Sequence, residues 1–197
     1  MNMNTTILDA IRKNNNLITT SQIIDLGFSK RLLTKYVKAG LLERSSHGVY
    51  SLPYTLQDDM FIMMSHSSKI VFSHDSALFL NHLSDRTPFR HSITIPSNAS
   101  LSYKVRDGCN IFYIKPELHG LGMIERKTTY GNLVKCYNAE RTVCDFLRSR
   151  NRCDEEMVIS AIKNYTASSF MNLNLLADYS EQLKVKKELK MYMEVLL

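Results

Sequence analysis

Four cations recur at helical spacing in one short stretch, G-F-S-K-R-L-L-T-K-Y-V-K-A at Gly27–Ala39. At about 100° per residue, Lys30, Arg31, Lys35 and Lys38 share one arc with Thr34, and Leu32, Leu33, Tyr36 and Val37 take the opposite arc. A helix of this kind buries one face and offers the other to a polyanion. The chemistry it can do is non-covalent: lysine and arginine bind phosphate, an arginine fork pairs with a guanine edge, and Ser29 or Thr34 touches a base or a thymine methyl. Ser29 also suits the N-cap of this helix. Just beyond it, Arg44 and His47 border a turn at Ser46-His47-Gly48, where Arg44 is placed to meet a phosphate backbone and His47 either joins it or is a solvated turn residue.

Covalent chemistry finds little support. There is no P-loop, G-x-G-x-x-G, G-x-S-x-G or H-E-x-x-H. Ser73-His74-Asp75 holds three triad residue types in a row, but neighbours in sequence cannot converge on one substrate atom, and the same trio opens a helix well. His66, His82 and His91 lack metal-ligand spacing, and Cys109, Cys136, Cys144 and Cys153 form no C-x-x-C pair. The cysteines read as reduced and mostly buried. No cofactor and no metal are expected, and the chain is not expected to be an enzyme. Arg148, Arg150 and Arg152 read as a solvated helix end or a second anion-binding patch.

Composition agrees with a soluble globular protein of one or two domains: 197 residues, 44% hydrophobic and 22% charged. The net charge is +6, and residues 1–50, with seven Lys/Arg against three Asp/Glu, hold +4 of it. The start M-N-M-N-T-T shows no signal peptide, and no apolar run is long enough to cross a bilayer, so a cytoplasmic location is expected.

The elements that must position the cations follow from periodicity. A helix from Thr5 or Thr6 presents Ile7, Leu8 and Ile11 to a core, Leu17 and Ile18 form an extended link, and Ser21–Leu26 is a short helix pointing Ile23, Ile24 and Leu26 inward. The basic helix comes third, with Gly40 as its C-cap. Leu42–Ser45 and Val49–Leu52 then form a hairpin, which makes the unit a winged helix-turn-helix ending at Pro53. From residue 54 onward a larger domain of helices and a small sheet is expected. Its helices are Gln57–His66, Ser73–Leu83, Ala139–Arg148, Asp154–Tyr165, Asn172–Leu183 and Val185–Leu196; its strands are Lys69–Phe72, Ser92–Pro96, Asn110–Lys115 and Leu133–Tyr137. Asn98–Gly108 reads as a polar connection. The last helix puts Val185, Leu189, Tyr192, Met193 and Leu196 on one face and Lys184, Lys186, Lys187 and Lys190 on the other.

In this order, G-L-L-E-R-x-x-x-G-V-Y at Gly40–Tyr50, S-H-D-S-A-L-F-L-N-H-L, I-T-I-P and A-E-R-T-V-C-D-F-L-R resemble the AbiEi antitoxins of abortive-infection, phage-defence toxin–antitoxin systems. The resemblance covers essentially the whole chain. It implies an α+β protein, a transcriptional repressor that binds inverted repeats in double-stranded operator DNA upstream of its own genes. It also implies that the C-terminal domain, residues 54–197, counteracts a nucleotidyltransferase toxin without forming a stable complex with it. The DNA contacts then fall on Ser29, Lys30, Arg31, Thr34, Lys35, Lys38 and Arg44, and His47 stands beside them as the further candidate at the turn. The family's E-R-T-x-x-D helix falls on Glu140, Arg141, Thr142 and Asp145, with Arg148 following. These residues, or Lys184, Lys186, Lys187 and Lys190, are the candidates for the antitoxin role, and the helix residues serve equally as an internal salt-bridge framework. Two other readings stand beside this one: a plain winged-helix regulator with a sensing or dimerising domain, and a nucleic-acid-processing enzyme targeted by its winged helix.

Overall fold

The computed structural model describes residues 2–196. The chain forms two compact units, Met1–Ser68 with Lys127–Leu133, and Lys69–Arg126 with Val134–Leu197. This division differs from the expected break at Pro53, because the chain returns to the first unit after residue 126.

In the first unit, α1 (Thr5–Lys13), β1 (Leu17–Thr19), α2 (Thr20–Asp25), α3 (Lys30–Lys38), β2 (Glu43–Ser46) and β3 (Val49–Ser51) follow the expected order. The three strands form an antiparallel sheet in the order β1-β3-β2. Asn4, rather than Thr5 or Thr6, caps α1 through a hydrogen bond from the Thr6 amide. Thr19 opens α2 with a reciprocal capping box to Gln22. Ile7, Ile11, Ile18, Ile23, Leu33, Tyr36 and Leu42 close one apolar core. Only Ile23 of α2 enters it. Ile24 is 47% exposed and Leu26 38%, because a six-residue helix packs a single turn against its neighbours.

Helix α4 (Asp59–Ser65) completes this unit and explains why 127–133 belongs to it. Asp58, buried, caps α4 by accepting from the Phe61 amide, and its other oxygen accepts from Thr128 Oγ1 (2.5 Å) and Asn132 Nδ2 (2.8 Å). A buried carboxylate needs such donors. In turn Asn132 Oδ1 accepts from Asn15 Nδ2 at 3.2 Å.

The second unit holds a five-stranded mixed sheet in the order β6-β5-β4-β8-β7. Its strands are β4 (Val71–Phe72), β5 (His91–Pro96), β6 (Cys109–Ile114), β7 (Met123–Lys127) and β8 (Leu133–Tyr137). Strand β4 runs antiparallel to β5 and parallel to β8, and β5 runs parallel to β6. The helices are α5 (His74–Leu80), α6 (Tyr103–Asp107), α7 (Ala139–Arg148), α8 (Glu155–Thr166), α9 (Leu173–Gln182) and α10 (Lys186–Leu196). Helix α6 lies where a polar connection was expected, and β7 is an additional strand. All of Ala139–Leu147 is buried, so α7 runs through the core instead of along its surface. Its Val143, Phe146 and Leu147 share one apolar cluster with Val158, Ile162, Leu176, Leu183, Val185 and Leu189, whereas the side chain of Leu196 lies outside the described residues.

Candidate nucleic-acid interface

The sequence pattern of α3 survives in the fold. Leu33 and Tyr36 are buried, Leu32 and Val37 are half-buried, and Lys30, Arg31, Thr34, Lys35 and Lys38 are all exposed. Ser29 caps the helix by accepting from the Arg31 amide at 3.3 Å. Tyr36 anchors the other side, its hydroxyl accepting from the Asn4 amide at 2.9 Å. Among the described residues no acidic side chain forms an ion pair with any of the four cations, so their charge stays available to a ligand.

The β2–β3 hairpin continues this surface within the same unit. Its register slips between Arg44 and Ser46, a bulge that twists the strand as it approaches the turn. Gly48 closes the turn at φ +77°, and its carbonyl accepts from the Thr20 amide (2.8 Å), which fastens the tip to the start of α2. Arg44 is exposed, donating to the Ser46 carbonyl (3.3 Å) and through Nη2 to His47 Nδ1 (3.1 Å). A groove of about 460 Å³ runs beside the tip, lined by Thr20, Ser21, Lys30, His47, Phe61 and Met64 among others. The eight residues singled out for contact with DNA thus lie on α3, at its N-cap or on the hairpin.

The candidates in the second unit divide differently. Glu140, Arg141 and Asp145 are buried, which removes them from any surface that a partner could touch; they form the internal framework. Glu140 Oε1 accepts from the Tyr165 hydroxyl at 3.1 Å. Arg141, fully buried, donates to Asp145 Oδ1 (3.0 Å) and to the carbonyls of Leu118 (2.9 Å) and Leu121 (2.8 Å), with its guanidinium 4.1 Å from the Tyr137 ring centroid. Burial pushes the Asp145 carboxyl above its ordinary range, and the Arg141 charge opposes that shift. The loop that supplies the two carbonyls turns at Gly122, φ +72°, where a Cβ would stand 2.7 Å from Arg141 Cβ. Only glycine combines that dihedral with that approach.

Of the other candidates, Arg148 is exposed and its Nη2 donates to the Tyr113 carbonyl (3.1 Å). Lys184, Lys186, Lys187 and Lys190 are all exposed. Lys186 pairs with Glu181, and Lys190 with Glu194 at 3.6 Å.

Sequence reasoning missed what His74 does. Ser73 occupies the N-cap position of α5 but its side chain caps nothing; its hydroxyl accepts from Thr94 (2.8 Å) and meets His74 Nδ1 (3.0 Å). His74, at φ +49°, is buried and stacked on Phe112 with ring centroids 3.5 Å apart. Burial drives its pKa down to about 3, so the ring is neutral. A positive φ on a non-glycine residue in this tight packing belongs to the architecture of α5. Buried thiols follow the same rule, with Cys136 and Cys144 pushed up to about 12. No disulfide forms among the four cysteines, and no cluster of metal-ligating side chains occurs among the described residues. Nor is any helix among them long and apolar enough to cross a membrane.

Three antiparallel strands, three helices and an exposed basic third helix define a winged helix-turn-helix. Residues 6–53 match the family described as "Transcriptional regulator, AbiEi antitoxin". No curated protein matches the chain. Among solved structures, it is similar to the crystal structure of the RV2827C protein from Mycobacterium tuberculosis, with 9% identity and a TM-score of 0.52 over 95% of this chain and 79% of that one. At that identity the likeness speaks for the fold.

Proposed function

We propose that this chain represses its own operon by laying α3 in the major groove of operator DNA while the β2–β3 tip meets the adjoining backbone, and that its second unit counteracts a nucleotidyltransferase toxin without catalysis of its own. The observation that carries the reading is the set of four unpaired cations on the exposed face of α3, continued by Arg44 and His47 on the hairpin. Lys35 and Lys38 serve as phosphate contacts, and Arg31, at the start of α3, as a base reader. Two copies on inverted repeats fit the two-fold symmetry of such operators.

With Glu140, Arg141 and Asp145 interior, contact by the second unit with toxin or DNA falls to Arg148, to Lys184 and to the α10 lysines. Lys184 and Lys187 form no ion pair among the described residues and lead that group.

Titration of the gene's own upstream region tests the DNA role. Lys35→Ala is expected to weaken binding to operator and scrambled duplex alike and to lower the salt slope by about one unit. An unchanged slope would remove Lys35 from the phosphate contacts. Arg31→Ala is expected to reduce discrimination between the two duplexes by ~1–3 kcal/mol. Equal losses on both would make it a positioning residue.

The toxin role is read separately, with the full chain carrying Lys30→Ala, Lys35→Ala and Lys38→Ala. This variant is expected to lose the operator yet still protect cells that express the neighbouring toxin gene. If protection vanishes with DNA binding, the second unit has no antitoxin role of its own.

A further inference from the structure

The five-stranded sheet has two edges, and only one of them carries charges on its own strand. Strand β7 carries Glu125, Arg126 and Lys127 on its own sequence, M-I-E-R-K. Strand β6 reads C-N-I-F-Y-I, without a charge, and such an edge invites pairing with another chain.

The backbone of β6 shows which groups face outward. Ile114 turns its carbonyl toward the β5 side, where the Ser97 amide donates to it at 2.7 Å. By alternation Asn110 and Phe112 do the same, and the carbonyls of Cys109, Ile111 and Tyr113 point away from the sheet. Each outward carbonyl is occupied by an arginine from a different place in the chain. Arg90 Nη2 donates to Asp107 O (2.5 Å) and Cys109 O (3.4 Å), Arg152 Nη2 to Ile111 O (3.1 Å), and Arg148 Nη2 to Tyr113 O (3.1 Å). Arg152 is held in place by the Phe112 ring, 4.6 Å from its guanidinium.

We infer that Arg90, Arg148 and Arg152 bar the β6 edge against strand addition, and that the partner they exclude is the β6 strand of a second copy. A two-fold antiparallel pair of β6 strands would need these carbonyls as acceptors. It would also bring two identical rows of three guanidinium groups together. Removing the arginines frees the acceptors and removes the repulsion at once.

The full-length triple variant Arg90→Ala, Arg148→Ala, Arg152→Ala tests this by light scattering over a concentration series beside the unsubstituted chain. Self-association is expected to strengthen by at least about tenfold, with new hydrogen-exchange protection at residues 109–114. Adding Tyr113→Pro, which removes an outward amide without touching the ladder to β5, is expected to abolish the gain. Unchanged association overturns the inference. So does association that survives Tyr113→Pro, because it then uses another surface. If the triple variant does not fold, the pair Arg148→Ala, Arg152→Ala is read by the same outcomes.

Discussion

Arg141→Ala is expected to lower the stability of the second unit by roughly 3–5 kcal/mol. The guanidinium is fully buried on α7 and serves four partners: Asp145, the carbonyls of Leu118 and Leu121, and the face of Tyr137. Truncation leaves a cavity, two carbonyls without donors and a buried carboxyl without its ion-pair partner. Lysine does not replace it, since one ammonium cannot reproduce the planar fork that reaches Asp145 and both loop carbonyls. Removing both members of the ion pair, Arg141→Met with Asp145→Leu, is expected to cost less than Arg141→Ala. Urea unfolding followed by circular dichroism, with hydrogen exchange on the α7 amides, reads both comparisons. A loss below about 1 kcal/mol for Arg141→Ala would mean that the side chain reaches solvent.

The second unit is also expected to lose stability in mild acid through His74. Its folded pKa is about 3, well below the ordinary imidazole value of 6.5, because burial opposes the charge. The unfolded chain therefore binds a proton that the folded chain refuses. The stabilisation is fully present above pH 6.5 and is lost as the pH falls toward 3. At about 1.36 kcal/mol per unit, the whole window amounts to ~5 kcal/mol. Asp75 and Asp145, raised by burial, act in the opposite sense, since the folded state takes up their protons first. His74 is therefore isolated by comparison with His74→Asn, which tolerates a positive φ and does not titrate here. The variant starts from a lower stability, but the acid-dependent slope below pH 6.5 is expected to shrink. An unchanged slope would assign the effect to another group.

Helix α3 was legible because amphipathic periodicity and solvent exposure are the same information when a helix packs on one side only. The hairpin was legible from Gly48 and its flanking β-branched and aromatic residues. Helix α7 was harder. Its Arg141–Asp145 spacing looks like a surface ion pair, and the signal against that reading was the apolar content on both flanks, Val143 and Cys144 before Asp145 and Phe146 and Leu147 after it. Strand β7 escaped notice because its charges mark a protected edge as well as they mark a loop. The role of His74 depends on Phe112, far away in sequence, so no local pattern could announce it. The same holds for Asp58, whose partners Thr128 and Asn132 lie more than sixty residues away.

That last contact sets an order of events during synthesis. A ribosome that has released the complete winged helix has not yet made the residues that satisfy Asp58, and more than sixty further codons must be read before Asn132 emerges. A nascent chain, or a gene fragment cut after Ser68, therefore carries the basic face of α3 above an unfinished foundation. Completion of the first unit is coupled in this way to translation well into the following unit, so a truncated message yields a first unit that lacks the two side-chain donors to Asp58.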